Sequence, residues 1–328
     1  MDKTIQWGII GCGDVTEIKS GPAFNKVGHS RLHAVMRRDA VKAADYAARH
    51  GVPVWYSDAD DLINDPVVDA VYIATPPKYH EEFAIAALER GKNVYVEKPV
   101  TIDVRGAGNI AKCVENSGGM LSVAHYRRAL PMFLKLKSLI TENVLGSVKL
   151  IELKMFHPYD PGMISNTGSA WRVVPSISGG GLFYDLAPHQ LDIITYIFGK
   201  PVSFGGISSS QSGLYEAEDA VTGWMLLENR IIFQGTWNFN MPNSSREDRC
   251  RITGERGVIE FAFFGNSIRT VIDGIECLLE FEHPKHIQQN MIGRVVDYFL
   301  GRGTNPCSIN DAMTSLEVME KFVHGSRK

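Results

Sequence analysis

Nowhere in these 328 residues does an apolar run reach the length needed to cross a bilayer, so no membrane-spanning helix is expected. The opening segment, Met1 to Trp7, runs straight into an apolar stretch, with no basic segment, apolar signal core or small-residue cleavage site, and secretion is not expected. An excess of positive charge is also missing. The formal net charge is -3 and the Lys and Arg residues are scattered, so neither nucleic acid nor a membrane surface is expected as a partner. Cysteine is sparse: Cys12, Cys113, Cys250, Cys277 and Cys307 are odd in number, widely spaced and without a CxxC pair. That pattern predicts reduced packing thiols in a cytoplasmic protein, with no disulfide framework and no metal site. Internal repeats and low-complexity segments are absent as well.

What is present is globular. Hydrophobic residues at 44% and charged residues at 22% are ordinary for a folded protein, and the length exceeds what one core usually organises, which predicts two domains. Ile5 to Ile10 reads as a short apolar strand that runs into Gly11-Cys12-Gly13-Asp14-Val15-Thr16, after which a helix can begin. In such a strand, turn and helix, Gly11 makes the turn, and Gly13 lets the backbone approach a pyrophosphate beside Asp14 and Val15 at the helix N-terminus. The third glycine of the usual pattern is replaced by Thr16, which either sets the helix farther from the strand or contributes a hydroxyl hydrogen bond.

A second strand, Arg31 to Met36, ends where the adenosine ribose of a dinucleotide would lie. Arg37 and Arg38 stand there in place of the usual acid and suit a 2'-phosphate, so NADP is preferred over NAD, although Asp39 beside them could take the acid's role. A continuous apolar run from Asp69 to Ala74 ends in Thr75-Pro76-Pro77-Lys78-Tyr79-His80, and a strand at Asn93 to Val96 ends in Glu97-Lys98-Pro99. Strand ends of a parallel sheet are where ligands bind, which makes Thr75, Pro76, His80, Glu97 and Lys98 cofactor-side candidates. Helices at Val41 to His50, Glu81 to Glu89 and Val104 to Asn116 alternate with these strands, as in a doubly wound sheet.

After about Ala124 strands follow strands, which predicts an α+β domain with a large open sheet, mixed or antiparallel. The predicted domains are residues 1–124 and 125–328, with the last helices free to pack back on the first. An open sheet face commonly pairs with a second subunit, so a homo-oligomer, dimer or tetramer, is expected. One segment of this half carries chemistry. Gly179-Gly180-Gly181 allows close approach of a ligand, and a helix starting near Phe183 puts Asp185 and His189 at i and i+4 on one face, with Asp192 nearby. A histidine beside a carboxylate can act as general base or acid, whereas a cap acid and a core histidine would look the same in sequence.

Taken together, the glycine turn, Ala74-Thr75-Pro76-Pro77 with His80, Glu97-Lys98-Pro99, and Gly179-Gly180-Gly181 with Asp185 and His189 resemble the glucose-fructose oxidoreductase and inositol dehydrogenase family. The resemblance covers almost the whole chain. It implies a Rossmann domain followed by a substrate-binding and oligomerisation domain, and hydride transfer between nicotinamide and a sugar, cyclic polyol or related small molecule. It also implies roles: Lys98 between cofactor and substrate, Asp185 orienting the substrate hydroxyl, and His189 exchanging its proton. Trp171 and Arg172 match the family's substrate loop, and Tyr126, Arg127 and Arg128 match its crossover segment, while His157 and Tyr159 are expected to be structural. Two relatives of different class stand as alternatives: glycosidases that keep NAD bound through a transient oxidation, and non-catalytic nucleotide-binding regulators.

Overall fold

Apolar segments that stop at glycine or proline become the strands of a parallel sheet in residues 1–127 of the computed structural model, which describes residues 3–164 and 170–325. The elements are β1 (Ile5–Ile10), α1 (Asp14–Glu17), β2 (Ser30–Met36), α2 (Ala40–His50), β3 (Val54–Tyr56), α3 (Ala59–Asn64), β4 (Ala70–Ile73), α4 (His80–Glu89), β5 (Asn93–Val96), α5 (Val104–Ser117) and β6 (Leu121–Val123). Then come α6 (Pro131–Thr141), β7 (Val148–Phe156), α7 (Pro161–Ile164), α8 (Pro175–Ser178), α9 (Leu182–Phe198), β8 (Pro201–Ser209), β9 (Ala220–Leu227) and β10 (Ile232–Asn238). The chain ends with β11 (Glu247–Gly254), β12 (Gly257–Phe261), β13 (Ser267–Ile272), β14 (Ile275–Glu280), α10 (Gln289–Phe299) and α11 (Ile309–His324). Residues divide into two units, 1–127 with 284–313 and 128–283 with 314–328.

The first unit has the strand order β3-β2-β1-β4-β5-β6, with every pair parallel. All four residues of β4 are buried, as a strand covered on both faces requires. The order reverses between β1 and β4, so the C-terminal ends of these two strands open a crevice of the kind that binds ligands in doubly wound sheets. Aromatic side chains fill the core beneath. Trp7 meets Phe24 at 4.8 Å and Phe299 of α10 at 5.7 Å, and Tyr72 stacks on Tyr95 at 5.2 Å. The helix after the glycine turn is a single turn of four residues, shorter than the pattern predicts, because Gly21-Pro22 opens a separate 3-10 turn. Its dipole is correspondingly small.

The second unit holds an eight-stranded sheet in the order β14-β13-β12-β11-β7-β10-β9-β8. One parallel pair, β7 with β10, makes it mixed; the other pairs are antiparallel. Side chains alternate strictly along β9: Val221, Met225 and Leu227 are buried, whereas Thr222 and Trp224 are exposed. The buried face carries the helices. Phe183 of α9 meets Trp237 edge-on at 5.0 Å, and Phe133 of α6 stacks near Phe263 at 5.6 Å. Phe322 of α11 lies over β8 and β9 where Gly206 and Gly223 leave room; a Cβ on Gly206 would sit 2.8 Å from the Phe322 Cα. Across the outer face, charges of alternating sign run from strand to strand, Arg251 to Glu260 at 3.0 Å, Glu260 to Arg269 at 2.9 Å and Arg269 to Glu276 at 2.7 Å.

A side chain at position 223 has to displace a buried ring, because a Cβ there would overlap Phe322. Gly223→Ala is expected to lower stability by about 1–3 kcal/mol, read as the midpoint of urea unfolding. Much of that loss returns in the double variant Gly223→Ala/Phe322→Leu, since the two positions share one contact.

Candidate functional site

The glycine turn is shaped by what it lacks. Gly11 has φ +92°, and a Cβ on it would fall 2.9 Å from both Ala74 and Thr75, so only glycine lets the end of β1 lie this close to the end of β4. The amides of Gly11 and Cys12 both donate to the Met36 carbonyl at the end of β2, at 3.0 and 3.2 Å. Gly13 is different: a Cβ there would meet nothing nearer than 4.0 Å, so the space above it is open. Thr16 in place of the third glycine donates its hydroxyl to the Gly13 carbonyl at 2.7 Å and is fully buried. Asp14 is exposed at the first position of α1, and Val15 beside it is half-buried. Cys12 is buried, and burial pushes its thiol up to about 11 despite the Arg37 charge nearby, which suits a packing residue.

Of the three charged residues after β2, Arg37 is half-buried and donates to the Cys12 carbonyl at 3.1 Å, which fixes its guanidinium at the turn. Arg38 is exposed with its guanidinium 5.4 Å from the Tyr79 ring centroid. Asp39 caps α2 by accepting the Lys42 amide at 3.1 Å, so its carboxylate is committed to the helix rather than open to a ribose.

At the end of β4, Pro76 opens a short 3-10 turn, Pro77–Tyr79, and the buried Thr75 hydroxyl oxygen has no hydrogen-bond partner among the described residues. An orphaned hydroxyl beside the open space over Gly13 fits a polar ligand such as a dinucleotide. His80 is fully buried, with Nε2 2.7 Å from the Thr75 carbonyl and Nδ1 3.0 Å from the Pro99 carbonyl. Both ring nitrogens face backbone, so any service to a cofactor comes through the loops that the ring joins. Burial lowers its pKa, against the opposing pull of those carbonyls and of Glu97. Glu97 is buried too. Its Oε1 accepts from the Tyr72 hydroxyl and from the Gln288 amide, each at 2.6 Å, and its Oε2 accepts from the Lys98 backbone amide at 3.2 Å. Lys98 itself is half-buried.

In the second unit, α9 begins at Leu182 and carries Asp185, half-buried, and His189, 5% exposed, one turn apart. Arg172 places Nε 3.6 Å from Asp185 Oδ2 and lays its guanidinium 4.7 Å from the Trp171 ring centroid, which orients both charged groups. The His189 ring stands edge-on to Phe264 at 6.1 Å. Asp192, one turn further on, is not part of this pair: Arg128 binds both of its oxygens, at 2.6 to 3.1 Å, and both residues are buried. Tyr126 and Arg127 lie in the 3-10 turn Tyr126–Ala129, with the Arg127 guanidinium 5.5 Å from the Tyr126 ring centroid.

The glycine run is explained by the chain itself rather than by a ligand. A Cβ on Gly181 would sit 2.7 Å from the Glu218 carbonyl and 2.9 Å from Ala217, and one on Gly180 would strike the Tyr184 ring. Its neighbours are therefore the loop before β9 and the first turn of α9. Sequence reasoning also missed Tyr72 and Gln288, whose shared partner Glu97 lies 25 and 191 residues away, and it named Arg128 without its pairing to Asp192, 64 residues on. No local pattern signals such pairs. Glu17 of α1 was missed as well. It accepts two hydrogen bonds from Arg49, each at 2.8 Å, and lies 2.9 Å from His50, bracing the glycine turn against α2.

Comparison with known proteins places the chain's two halves in one family. The family model described as "Oxidoreductase family, NAD-binding Rossmann fold" matches residues 5–125, and that of the GFO/IDH/MocA C-terminal domain matches residues 133–260. The chain is 42% identical over 322 residues to Oxidoreductase P35 of Formosa agariphila, covering 98% of this chain and 99% of that protein. It is 27% identical over 232 residues to the 1,5-anhydro-D-fructose reductase of Ensifer adhaerens, covering 70% of this chain and 68% of that one. Among solved structures, aldose-aldose oxidoreductase from Caulobacter crescentus matches with a TM-score of 0.85 at 22% identity, covering 97% and 95% of the two chains. The resemblance read from the motifs is borne out.

Two expectations follow. Gly13→Ala adds a methyl group to open space, so the melting temperature should stay within a degree or two while affinity for NADPH or NADH falls at least about tenfold, by fluorescence titration. Glu17 is lowered to about 2, mainly by its hydrogen bonds from Arg49, against an ordinary value of 4.5. A depressed acid stabilises the fold above its unfolded pKa, so this contribution is complete above about pH 4.5 and lost as pH falls towards 2. Melting curves across that window should lose part of their pH dependence in Arg49→Ala.

Proposed function

The chain belongs to the GFO/IDH/MocA family of oxidoreductases with an NAD-binding Rossmann fold, and from that premise we propose that it acts on a sugar, cyclic polyol or related small molecule at a carbon bearing a hydroxyl or carbonyl. The cofactor, when bound, supplies or accepts the hydride at nicotinamide C4. The observation that carries this reading is the pair Asp185 and His189, one turn apart on α9, with Arg172 and Trp171 fixing the carboxylate. Asp185 holds the substrate hydroxyl. His189 takes its proton in oxidation and returns it in reduction. Lys98 polarises the reacting oxygen and stabilises the charge that develops there. The naming of a relative as an anhydrofructose reductase supports a sugar-like substrate.

Gly11, Gly13, Asp14 and Val15 would hold the pyrophosphate, with Thr75, Pro76 and the Glu97-Lys98 segment on the nicotinamide side. NADP is the preferred cofactor, because Arg37 is fixed at the turn, Arg38 is exposed at the end of β2 with its guanidinium over the Tyr79 ring, and Asp39 is occupied as a helix cap. Residues 1–124 serve the cofactor, and 125–328 serve substrate binding and self-association. The outer face of β8–β10 exposes Ile207, Trp224 and Ile232, which supports a homo-oligomer. The five cysteines are free thiols, which supports a reducing, cytoplasmic setting, and among the described residues no helix is long and apolar enough to cross a membrane.

The test is a fluorescence titration with NADPH and NADH, followed by turnover of 1,5-anhydro-D-fructose and a panel of sugars and polyols. Arg37→Asp should weaken NADPH at least about tenfold and leave NADH little changed. Lys98→Ala and His189→Ala should each cut turnover about a hundredfold or more with cofactor affinity nearly intact. Binding of neither cofactor, or full activity in both alanine variants, would overturn the proposal.

A further inference from the structure

Gln288 immediately precedes α10, yet its side chain caps nothing there. It is 1% exposed and bonded at both ends of its amide: Nε2 donates to Glu97 Oε1 at 2.6 Å, and Oε1 accepts from the Tyr95 hydroxyl at 3.1 Å. Its backbone amide donates to the Lys19 carbonyl at 3.1 Å, and two residues earlier His286 Nδ1 lies 2.6 Å from the Ile18 carbonyl. Position 288 is thus anchored to the segment that follows the glycine turn. A buried amide is costly unless every group is satisfied, and an apolar residue of the same volume would fill the space more cheaply, so the hydrogen bonds themselves require explanation.

Their common product is the orientation of one carboxylate. The Tyr72 hydroxyl donates to the same Glu97 oxygen at 2.6 Å, and Tyr72 is held by its stacking on Tyr95. With Oε1 fixed by two donors, Oε2 is presented to the Lys98 backbone amide at 3.2 Å. On the far side of Lys98, the buried His80 ring lies between two backbone carbonyls, Nδ1 3.0 Å from that of Pro99 and Nε2 2.7 Å from that of Thr75. Lys98 therefore sits between two anchored neighbours, one held by a histidine near it in sequence and one held by a glutamine from the far end of the chain.

We propose that Gln288 is a positioning residue: it orients Glu97 and, through the Glu97–Lys98 peptide, sets Lys98 relative to the glycine turn. This rests on the reading of Lys98 as the group that polarises the substrate oxygen. Gln288 touches neither substrate nor cofactor in this role.

The experiment reads hydrogen exchange at the Lys98 amide, by mass spectrometry of the segment 93–101 in protein without cofactor, for the parent chain, Gln288→Leu and Gln288→Glu. Gln288→Leu should speed exchange of that amide by about tenfold, as expected when a supporting hydrogen bond is lost. Turnover of 1,5-anhydro-D-fructose with NADPH should fall about tenfold in kcat with cofactor Kd within about threefold, and the same substitution should cost nothing further in a Lys98→Ala background. Gln288→Glu can donate only when protonated, so its exchange and kcat should return towards the parent as pH is lowered from 8 to 5; this series also carries the test if Gln288→Leu fails to fold. Unchanged exchange at Lys98, or an equal loss of kcat with and without Lys98, overturns the proposal. Full activity of Lys98→Ala would instead remove the role assigned to Lys98, leaving the exchange result to judge the clamp alone.

Discussion

Between β1 and β4 the first sheet reverses its order, and the ends of those strands meet only because Gly11 has no side chain. A Cβ 2.9 Å from Ala74 and Thr75 would force the strands apart. Much of the first unit's site follows from that single close approach. It sets Thr75, whose carbonyl His80 holds; His80 in turn holds Pro99, and Pro99 ends the Glu97-Lys98-Pro99 segment. Thr16 closes the opposite side, its hydroxyl turned back onto Gly13 and its carbonyl taken by the Tyr46 hydroxyl at 2.8 Å. The helix dipole often credited with anion binding is small here because α1 is one turn long. The backbone amides and open space at Gly13 are what this turn has to offer.

Features that depend on local periodicity were legible in the sequence. The bounds of β1 and β5 coincide with the expected ranges, and those of β2, α2, α4 and α5 differ by one residue at one end, since apolar runs and the residues that end them report on the chain within a few residues. The second sheet was legible as open and either mixed or antiparallel, and it is mixed; which strands pair in parallel was not legible, because β7 and β10 are distant in sequence. Of the site, the turn residues and the Asp185-His189 spacing could be read, whereas Gln288, Tyr72 and the pairing of Arg128 with Asp192 could not. A buried polar partner is selected by where the fold delivers it, and neither propensity nor spacing encodes that delivery.

The glycine run at 179–181 shows how the same residue type misleads when its neighbour is unknown. In the first unit, the empty space over Gly13 is available to a ligand; in the second, the space beside Gly180 and Gly181 is already filled by Tyr184, Ala217 and Glu218. Sequence reasoning treated both as sites of approach. The approach is real in both places, but at Gly181 the visitor is the loop before β9. That loop is pinned by Asp219, which accepts the amides of Gln211 and Ser212 at 2.7 Å each. The run therefore fixes where α9 begins, and so where Asp185 and His189 stand.

Two aspartates on α9 make the same point about charge. Asp185 and Asp192 lie two turns apart on one helix, and each has an arginine partner. Asp192 is 1% exposed and bound through both oxygens by Arg128, a geometry in which removing either partner would strand a buried charge. Asp185 is half-buried and meets Arg172 at 3.6 Å, with the Arg172 guanidinium lying against the Trp171 ring. The first arrangement buries the carboxylate under an arginine that binds both oxygens and holds the fold; the second sets a carboxylate at a partly exposed position of the same helix. Residue type is the same for both, so it is burial and coordination, supplied only by the folded chain, that separate the two aspartates.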